Sequence, residues 1–593
     1  MRAQRRLTRR WYRLELRATR LLDALGLAEN QKTLALTLLI GAVCGWAAVV
    51  FHLALDVAER QLIGRAMAWA LWGRVIGLLL IPTAGGLLAG ALLRFVEEAR
   101  GSGIPQVKAA YHLNYGRIPF KVVLAKMGLG TLCIGSGLSL GREGPTVQIC
   151  AGIASLFGRL AAVSRRTLMN LVPVGSAAGL AAAFNTPIAA VTFTLEEIVG
   201  DLSHRSIGAI VVASVIAAVI EHWILGSQSL FSVPAYSFSG ARELPFYAVL
   251  GVLAAGLSVL FTTSLLRLRR WFLEWGIPRW VRPGVGGCVV GLIGLIALEG
   301  CGARGVFGIG YGLLSQALRG EIALKLALVL LVAKLAAAVV SYSSGAVGGI
   351  FAPVLFIGGM LGSMVGTLTA YVLHTDATRA AGAFALVGMG AVFAGAIRAP
   401  ITSVLMIFEM TNTYSIILPL MIANAISYSL ASRLSPTPVY EALLLQDGVH
   451  LPHRAPPHML GRVTVASAMT RDVVTLPDRL SVKAAYERAL HYGHHAYPVV
   501  DARNQLVGII TINDLRREVG KGNGGKLLGE VAGKRVIHAH PDQTLEHALL
   551  KLGRWEISQL PVVSRLDDRR IVGIITLGDI ARACARRAEE RGH

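Results

Sequence analysis

Between residues 33 and 434 the chain is a succession of apolar segments, several of them about 20 residues long and so able to span a bilayer as helices. They form two series of seven. The segments run over residues 33–55, 75–96, 121–140, 147–162, 168–184, 187–199 and 206–225, and then over 246–266, 284–298, 322–340, 350–373, 381–396, 401–410 and 415–434. This pattern predicts a polytopic α-helical membrane protein.

Several of these segments are short or are interrupted by glycine and proline. The interruptions lie at residues 101–105, 141–145, 185–187 and 348–353. A short helix at membrane depth is tolerated only where its exposed backbone lines a cavity or is buried in protein. Broken helices in both halves of a membrane domain predict a substrate site near the midplane, between two inverted repeats.

The only charged residues within these interruptions are Arg142 and Glu143. Pro145 favours the first turn of a helix, so we expect a helix to begin here. A helix N-terminus with free amides is a ready site for an anion. The residue at this position, Glu143, is nevertheless an anion itself, which makes it the first candidate functional residue of the chain.

Charge is sparse in the apolar region and dense on either side of it. Of 593 residues only 16% are charged, against 54% hydrophobic, yet residues 1–20 contain eight arginines. The net charge of +23 therefore indicates cytoplasmic flanks that follow the positive-inside rule, and not a nucleic-acid partner. The basic arm, residues 1–32, either sets the membrane topology or also binds anionic lipid.

A soluble module follows the apolar region, residues 33–445, after a linker at residues 446–462 that is rich in Asp, His and Pro. It contains two similar segments, offset by 63 to 65 residues, and we place the two repeats at residues 463–522 and 523–593. Each repeat reads strand, turn, strand and helix, because its short β-branched runs are bounded by glycine. The module is predicted to be α/β.

The cysteines and histidines give no sign of a metal site or a catalytic centre. The cysteines lack metal-ligand spacing, and several lie in or beside apolar segments, which favours buried small residues over disulfides or zinc ligands. They are Cys44, Cys133, Cys150, Cys288, Cys301 and Cys584. Histidine pairs such as His494-His495 have no nucleophile or metal partner nearby in sequence. We expect neither an enzyme nor a bound metal.

Four motifs follow one another along the chain: Gly101-Ser102-Gly103-Ile104-Pro105, Gly141-Arg142-Glu143-Gly144-Pro145, Gly349-Ile350-Phe351-Ala352-Pro353 and the late Tyr440. In this order they resemble the signature set of the CLC family of chloride channels and proton-coupled chloride exchangers. The soluble module resembles a pair of cystathionine-β-synthase (CBS) repeats. This resemblance implies two inverted halves with broken, re-entrant helices, a homodimer with one pore per subunit, and cytoplasmic N-terminal and CBS regions at the cell membrane.

The resemblance also implies which residues bind chloride. Ser102 and Tyr440 would place hydroxyls on a central ion, with backbone amides around Gly349, Ile350 and Phe351 completing that site, while the amides around Arg142, Glu143 and Gly144 would frame an outer site. The residues by themselves allow other roles. Ser102 suits a helix N-cap, Tyr440 suits an interfacial aromatic, and Arg142 either sets the local potential or caps carbonyls.

Glu143 matches the family's gating glutamate, which competes with chloride as an anion and leaves when protonated. Glu197 falls where the family's exchangers carry a glutamate that relays protons from the cytoplasm, and Glu196 we expect only to mark the membrane edge. The resemblance therefore implies chloride–proton exchange, with a voltage- or proton-gated chloride channel as the alternative. The stretch Gln106-Val107-Lys108 departs from some bacterial relatives, which carry acidic residues there.

In the CBS pair the resemblance implies adenine-nucleotide binding by Thr511 with Asp514 and by Thr576 with Asp579, although many such pairs bind nothing. The nearby basic residues Lys534, Arg535, Arg569 and Arg570 either meet phosphate or are solvated loop charges. The exchange itself requires no cofactor. Two rivals stay open: a membrane-anchored nucleotide sensor, and a divalent-cation transporter, which would need more acids at the interruptions than Glu143 supplies.

Overall fold

The fold is taken from a computed structural model, in which the chain forms two compact units, one before residue 452 and one after it. The model describes residues 29–161, 163–201, 206–226, 230–231, 233–234, 236, 240–451, 463–494, 496–533, 536–555 and 557–589. Only the last four residues of the predicted basic arm fall within this part of the chain. The predicted linker is described up to residue 451.

The first unit consists of helices joined by short connections. Its first half contains α1 (Glu29–Glu59, extended by a π turn and Arg65–Ala68), α2 (Leu71–Leu93), α3 (Ile104–Leu113), α4 (Phe120–Gly135), α5 (Glu143–Leu160), α6 (Arg165–Phe184), α7 (Pro187–Phe193, continued by a π turn Thr194–Val199) and α8 (Ile207–Leu225). Its second half contains α9 (Leu244–Glu274), α10 (Arg282–Cys301), α11 (Tyr311–Leu318), α12 (Leu324–Ser343), α13 (Phe351–Leu373), α14 (Ala377–Ile397), α15 (Pro400–Thr411) and α16 (Ile417–Leu434), and α17 (Val439–Gln446) follows.

Ten helices in the described ranges are long and apolar enough to cross a membrane, which confirms the predicted polytopic fold. They differ greatly in burial. Of the most hydrophobic 18-residue stretch of α14, 94% is buried within the protein, whereas only 28% of the corresponding stretch of α8 is buried. α14 therefore lies in the centre of the unit and α8 at its periphery. The short helices α3, α7, α11 and α15 are too short to cross alone and must rest on the longer ones.

The two halves correspond helix by helix, from α1 with α9 to α8 with α16. Gly141 and Gly349, which open the equivalent motifs before α5 and α13, are 208 residues apart and form an antiparallel bridge. Each donates its amide N–H to the carbonyl of the other, with both N···O distances 2.7 Å. Equivalent residues that bond each other reciprocally lie on a two-fold axis, and their antiparallel course makes the repeats inverted, as predicted.

Two fully buried lysines also occupy equivalent positions in the two halves. Lys126 of α4 and Lys334 of α12 are also 208 residues apart, and each has no exposed surface. Lys126 Nζ donates to the carbonyl of Gly101 at 2.7 Å, and Lys334 Nζ donates to that of Gly308 at 2.8 Å. A buried ammonium group is tolerated because these carbonyls replace its water. Each lysine thus fixes the irregular loop that leads into a short helix, α3 or α11.

Two glutamates cap each other's helices in the same symmetric way. Glu196, in the π turn after α7, accepts from the amide of Thr402 at 3.0 Å, in the first turn of α15. Glu409, near the end of α15, accepts from the amide of Ala189 at 2.7 Å, in the first turn of α7. A carboxylate satisfies amides that have no partner inside their helix and complements the helix dipole. Glu196 therefore has a structural role that its position in the sequence did not reveal.

The second unit contains two similar α/β repeats. The first has α18 (Val465–Ala468), β1 (Leu476–Pro477), α19 (Val482–Tyr492), β2 (Ala496–Val500), β3 (Leu506–Thr511) and α20 (Ile512–Gly520), and the second has α21 (Leu528–Val531), α22 (Leu545–Arg554), β4 (Gln559–Val563), β5 (Ile571–Thr576) and α23 (Leu577–Glu589). β2 pairs with β3 and β4 with β5, both antiparallel, and β1 runs parallel to β2. The predicted order of strand, turn, strand and helix is confirmed in both repeats.

The expectation that the cysteines are buried is wrong for two of them. Cys44, Cys133 and Cys150 are buried, but Cys288 and Cys301 are exposed on α10. A membrane helix can expose small apolar side chains to lipid at no cost. A cysteine within an apolar segment is therefore not necessarily buried inside the protein. The side chain of Cys584 lies outside the described residues.

Removing one reciprocal cap should weaken the membrane unit measurably. We expect Glu409→Ala to cost about 1–2 kcal/mol of stability, because the first-turn amides of α7 lose their acceptor. Thermal unfolding of the purified protein in detergent should show a midpoint lowered by a few degrees. Glu274→Ala, at the exposed end of α9, is the matched control. Equal midpoints for the two variants would contradict the capping role.

Candidate functional site

The site is built where the N-termini of α5 and α13 meet. The reciprocal bonds between Gly141 and Gly349 hold the two helix starts together, and a Cβ on Gly349 would lie 3.1 Å from the amide nitrogen of Gly144 in the first turn of α5. First-turn amides have no acceptor within their own helix, and each N-terminus carries about half a positive charge. Two such ends side by side attract an anion more strongly than either does alone.

The carboxylate of Glu143 occupies this position. The side chain is completely buried, close to its own backbone amide and to that of Ala352 in the first turn of α13. Gly141 makes room for it, because a Cβ there would lie 2.2 Å from Oε2. Oε2 itself has no hydrogen bond among the described residues. Glu143 thus lies as an anion would, between two helix ends.

Tyr311 binds the other carboxylate oxygen, and the sequence analysis missed it. Its hydroxyl donates to Oε1 of Glu143 at 2.5 Å, and its ring packs edge-on against Phe231 with centroids 5.4 Å apart. Tyr311 begins α11, after a loop in which Gly308 and Gly310 have positive φ, like Gly101 and Gly103 before α3. That loop, Gly308-Ile309-Gly310, is the repeat equivalent of Gly101-Ser102-Gly103. An alignment of the two halves of the chain would therefore have indicated that Tyr311 follows a loop equivalent to the one that contains Ser102.

Ser102 and Tyr440 supply two buried hydroxyls beside the helix ends. Both residues are fully buried, and neither Oγ of Ser102 nor the phenol oxygen of Tyr440 has a hydrogen-bond partner in the described ranges. Ser102 Oγ lies against α5, only 2.4 Å from where a Cβ on Gly144 would be, and Tyr440 is close to Ser102. Unpaired buried hydroxyls are costly unless they donate to a ligand. They fit a dehydrated anion.

The other predicted chloride ligands lie at the start of α13, with Gly349, Ile350 and Phe351, and just before α5, with Arg142. The amide of Gly349 donates to the carbonyl of Gly141, whereas Ile350 and Phe351 open α13, where first-turn amides have no acceptor within their helix. That the amides around these three residues hold the central ion stays a prediction. The guanidinium of Arg142 is buried and donates to the carbonyl of Ala183 at 3.3 Å. Of its two predicted roles, the structure therefore favours capping a carbonyl.

A second buried acid, Glu197, lies in the π turn after α7. Its carboxylate pairs with Lys108 of α3, with Nζ 2.8 Å from Oε1, and both side chains are largely buried. α3 begins two residues after Ser102, so one short helix connects the hydroxyl site to this ion pair. Neighbouring Glu196 turns the other way, toward α15. π turns are uncommon and often mark functional sites, because the extra residue redirects the side chains.

A family model described as "Voltage gated chloride channel" matches residues 85–432, more than half of the chain. This chain belongs to that family. It is a multi-pass membrane protein. A CBS domain model matches residues 465–521 and again 528–586, so the soluble unit is a CBS pair.

Relatives of known name fall on both sides of the distinction between channel and exchanger. A protein of Ralstonia nicotianae named as a ClcB-like chloride channel protein is 33% identical over 440 residues, which cover 72% of this chain and 100% of that protein. The H(+)/Cl(−) exchange transporter ClcA of Salmonella arizonae is 33% identical over 445 residues, covering 70% and 90%. The solved structure of a slow cyanobacterial Cl−/H+ antiporter is 26% identical, with a TM-score of 0.63, covering 70% and 97%.

In the CBS pair the predicted nucleotide ligands form helix caps. Thr511 Oγ1 donates to Asp514 at 2.6 Å and Thr576 Oγ1 to Asp579 at 2.7 Å, and each aspartate amide donates back to the threonine hydroxyl. Such capping boxes start α20 and α23. Asp579 also accepts from Arg582 at 2.5 Å. The motif therefore has a structural function whether or not a nucleotide binds, and nucleotide binding stays a prediction. Lys534 and Arg535 lie outside the described residues.

Proposed function

We propose that this protein exchanges chloride for protons across the membrane. The observation that carries the proposal is the Glu143 carboxylate, which lies between two helix N-termini in a site suited to an anion, beside the unpaired hydroxyls of Ser102 and Tyr440. Relatives named as Cl−/H+ exchangers and antiporters over most of the membrane unit support it.

Chloride would be held by partial charges and neutral donors alone. Helix ends, the hydroxyls of Ser102 and Tyr440 and the amides of Ile350, Phe351 and Gly144 are the proposed ligands. The buried cations Lys126, Lys334 and Arg142 each donate to backbone carbonyls, so none of the three side chains is a proposed ligand of the ion. A fixed ammonium group would bind chloride too tightly for turnover, whereas transport needs sites that the ion can leave.

Protons would move through the two buried acids. An ionised Glu143 competes with chloride for the helix ends, and a protonated Glu143 gives up that attraction and opens the anion path. Glu197 would deliver protons to it from the cytoplasmic side. Lys108 would stabilise the ionised form of Glu197 and hold its carboxylate in place. Bound chloride and an ionised Glu143 then exclude each other, so that chloride enters as Glu143 takes up a proton, which is the basis of exchange.

The alternative is a chloride channel gated by Glu143. A channel needs no second acid, so the buried Glu197 favours the exchanger. The reversal potential of liposomes or planar bilayers across a pH gradient separates the two functions, because only an exchanger's reversal potential depends on pH. The nucleotide-sensor and cation-transporter alternatives gain no support from the site.

Five further features remain proposals. The N-terminal arm and the CBS pair would lie in the cytoplasm, the basic arm would contact lipid, and two copies would form a homodimer with one pore each. An adenine nucleotide would bind the CBS pair through Thr511, Asp514, Thr576 and Asp579, which ATP binding to the purified full chain would test. The protein would act as a transporter and not as an enzyme.

Replacing the gating acid by its neutral isostere should separate the two ion flows. We expect Glu143→Gln to keep chloride flux in liposomes but to abolish chloride-driven proton movement, because the amide cannot carry a proton or compete as an anion. Both fluxes are measured in the same vesicles, with a chloride electrode and a pH electrode. Glu274→Gln, at an exposed position, is the control. Proton movement that persists in Glu143→Gln would refute the assigned role.

Tyr311 should hold the gate closed. Tyr311→Phe keeps the ring against Phe231 but removes the hydrogen bond to Glu143, which at a charged acceptor is worth about 1.5 kcal/mol. We therefore expect chloride flux at neutral pH to rise, by up to about tenfold. Tyr371→Phe, on an exposed tyrosine, controls for loss of a phenol. A flux in Tyr311→Phe at or below that of the control would contradict this role.

Lys108 should influence how many protons move for each chloride ion. Lys108→Met keeps the aliphatic stem and removes the charge that positions Glu197, so we expect fewer protons per chloride while chloride flux continues. Lys121→Met is a matched control, because Lys121 pairs with Glu98 at 3.3 Å with both side chains about half exposed. The ratio of the initial proton and chloride fluxes is the readout. An unchanged ratio in Lys108→Met would make the ion pair purely structural.

A further inference from the structure

Two histidines and an aspartate of the second CBS repeat lie around one point, far in sequence from the transport residues. His538 and His540 are separated by one residue, and Asp568 lies in the loop between β4 and β5. One ring nitrogen of each histidine and one carboxylate oxygen of Asp568 all lie within 4.8 Å of one another. We propose that these three side chains bind a divalent transition-metal ion, with Zn²⁺ as the best match.

The backbone explains why the two imidazoles lie on the same side. Ala539, between them, pairs with β4: its amide donates to the carbonyl of Pro561 and its carbonyl accepts from the amide of Val563, both at 2.9 Å. In an extended segment, residues on either side of a paired residue project from the same face. The two rings are accordingly neighbours, with centroids 5.2 Å apart.

The hydrogen bonds of the rings fix which nitrogen is free. Nδ1 of His538 lies 3.3 Å from the carbonyl of Val536, and Nδ1 of His540 lies 3.2 Å from that of Val563. A carbonyl only accepts, so each Nδ1 carries a proton, and in the neutral ring each Nε2 presents a lone pair. Metal-binding histidines are oriented in this way by carbonyl partners.

The lone pair of His540 faces another acceptor. Its Nε2 is 3.9 Å from Oδ1 of Asp568, too far for a hydrogen bond and, in this tautomer, without a proton between them. A cation between the two atoms would satisfy both. The neighbouring Asp542 is bound by Arg565 at 2.9 Å, so that arginine is not the missing cation.

The donor set indicates the metal. Two imidazole nitrogens and one carboxylate suit Zn²⁺, which binds such ligands at about 2.0–2.2 Å and accepts water at a fourth position. The three atoms must therefore move closer by about 1 Å or more, and Asp568 is free to do so because its side chain is 66% exposed. The sequence predicted no metal here, since the third ligand lies 28 residues beyond the second.

Binding of the ion would fix the loop between β4 and β5, which also contacts the first repeat. Next to Asp568, the carbonyl of Arg569 accepts from the amide of Leu506 at 2.7 Å, at the start of β3. An ion at Asp568 would tie this loop to the segment of residues 538–540. The site would therefore act as a clamp on the contact between the two repeats.

The test measures metal bound to the full-length protein, purified in detergent without a histidine tag and stripped with a chelator. Equilibrium dialysis against micromolar ZnCl₂ should give one tightly bound Zn²⁺ per chain. We expect this ion to be absent from the double variant His538→Ala/His540→Ala. Asp568→Asn, at an exposed position that does not threaten folding, should bind at least about tenfold more weakly.

His491→Ala on α19 and Asp567→Asn beside the site are the matched controls, and both should keep the ion. Zinc retained at wild-type stoichiometry in the double variant, or equal affinity in Asp568→Asn and Asp567→Asn, would overturn the proposal. No stoichiometric binding by the wild-type chain would overturn it as well, and would make His538 and His540 ordinary surface residues.

Discussion

The structure of the membrane unit depends on the pair of hydrogen bonds between Gly141 and Gly349. They bring two helix N-termini together on the pseudo-two-fold axis, where their free amides face the protein interior. Polar backbone at membrane depth is stable only if it is bonded or lines a cavity. The bonds between Gly141 and Gly349 satisfy part of this backbone, and the remaining free amides are the proposed ligands of an anion.

Each of the two buried acids is held by one donor from another part of the fold. Tyr311, from the second repeat, binds Glu143, and Lys108, from α3, binds Glu197. In the proposed exchange, the neutral phenol would stabilise a carboxylate that leaves when it is protonated, whereas the ammonium group would give a stronger hold to an acid that stays in place. The strength of each partner would thus suit the movement proposed for each acid.

Sequence patterns predicted the helices and Glu143, because glycine, proline and buried charge are local signals. Ser102, Glu197 and Tyr440 were assigned from the resemblance to the CLC family, whereas Tyr311 was missed because its loop contains neither proline nor charge. Partners distant in the chain could not be foreseen: Lys108 was noticed without its contact to Glu197, Glu196 without α15, and Gly349 without the bond that occupies its amide. The approach of Asp568 to His538 and His540, which underlies the proposed metal site, could not be foreseen for the same reason.

A comparison of equivalent residues in the two halves of the membrane unit distinguishes those that support the fold from those proposed to function in transport. Where equivalent positions carry the same residue, the residue supports the fold: Lys126 and Lys334 hold loops, Glu196 and Glu409 cap helices, and Gly141 and Gly349 bond each other. Where they differ, the polar member is a proposed functional residue, and its counterpart is apolar or small: Glu143 with Phe351, Ser102 with Ile309, Glu197 with Met410, Tyr311 with Ile104, and Lys108 with Ser315. A symmetric scaffold places two equal helix ends against each other. Transport in one direction coupled to protons in the other requires that they be unequal, and these substitutions supply that difference.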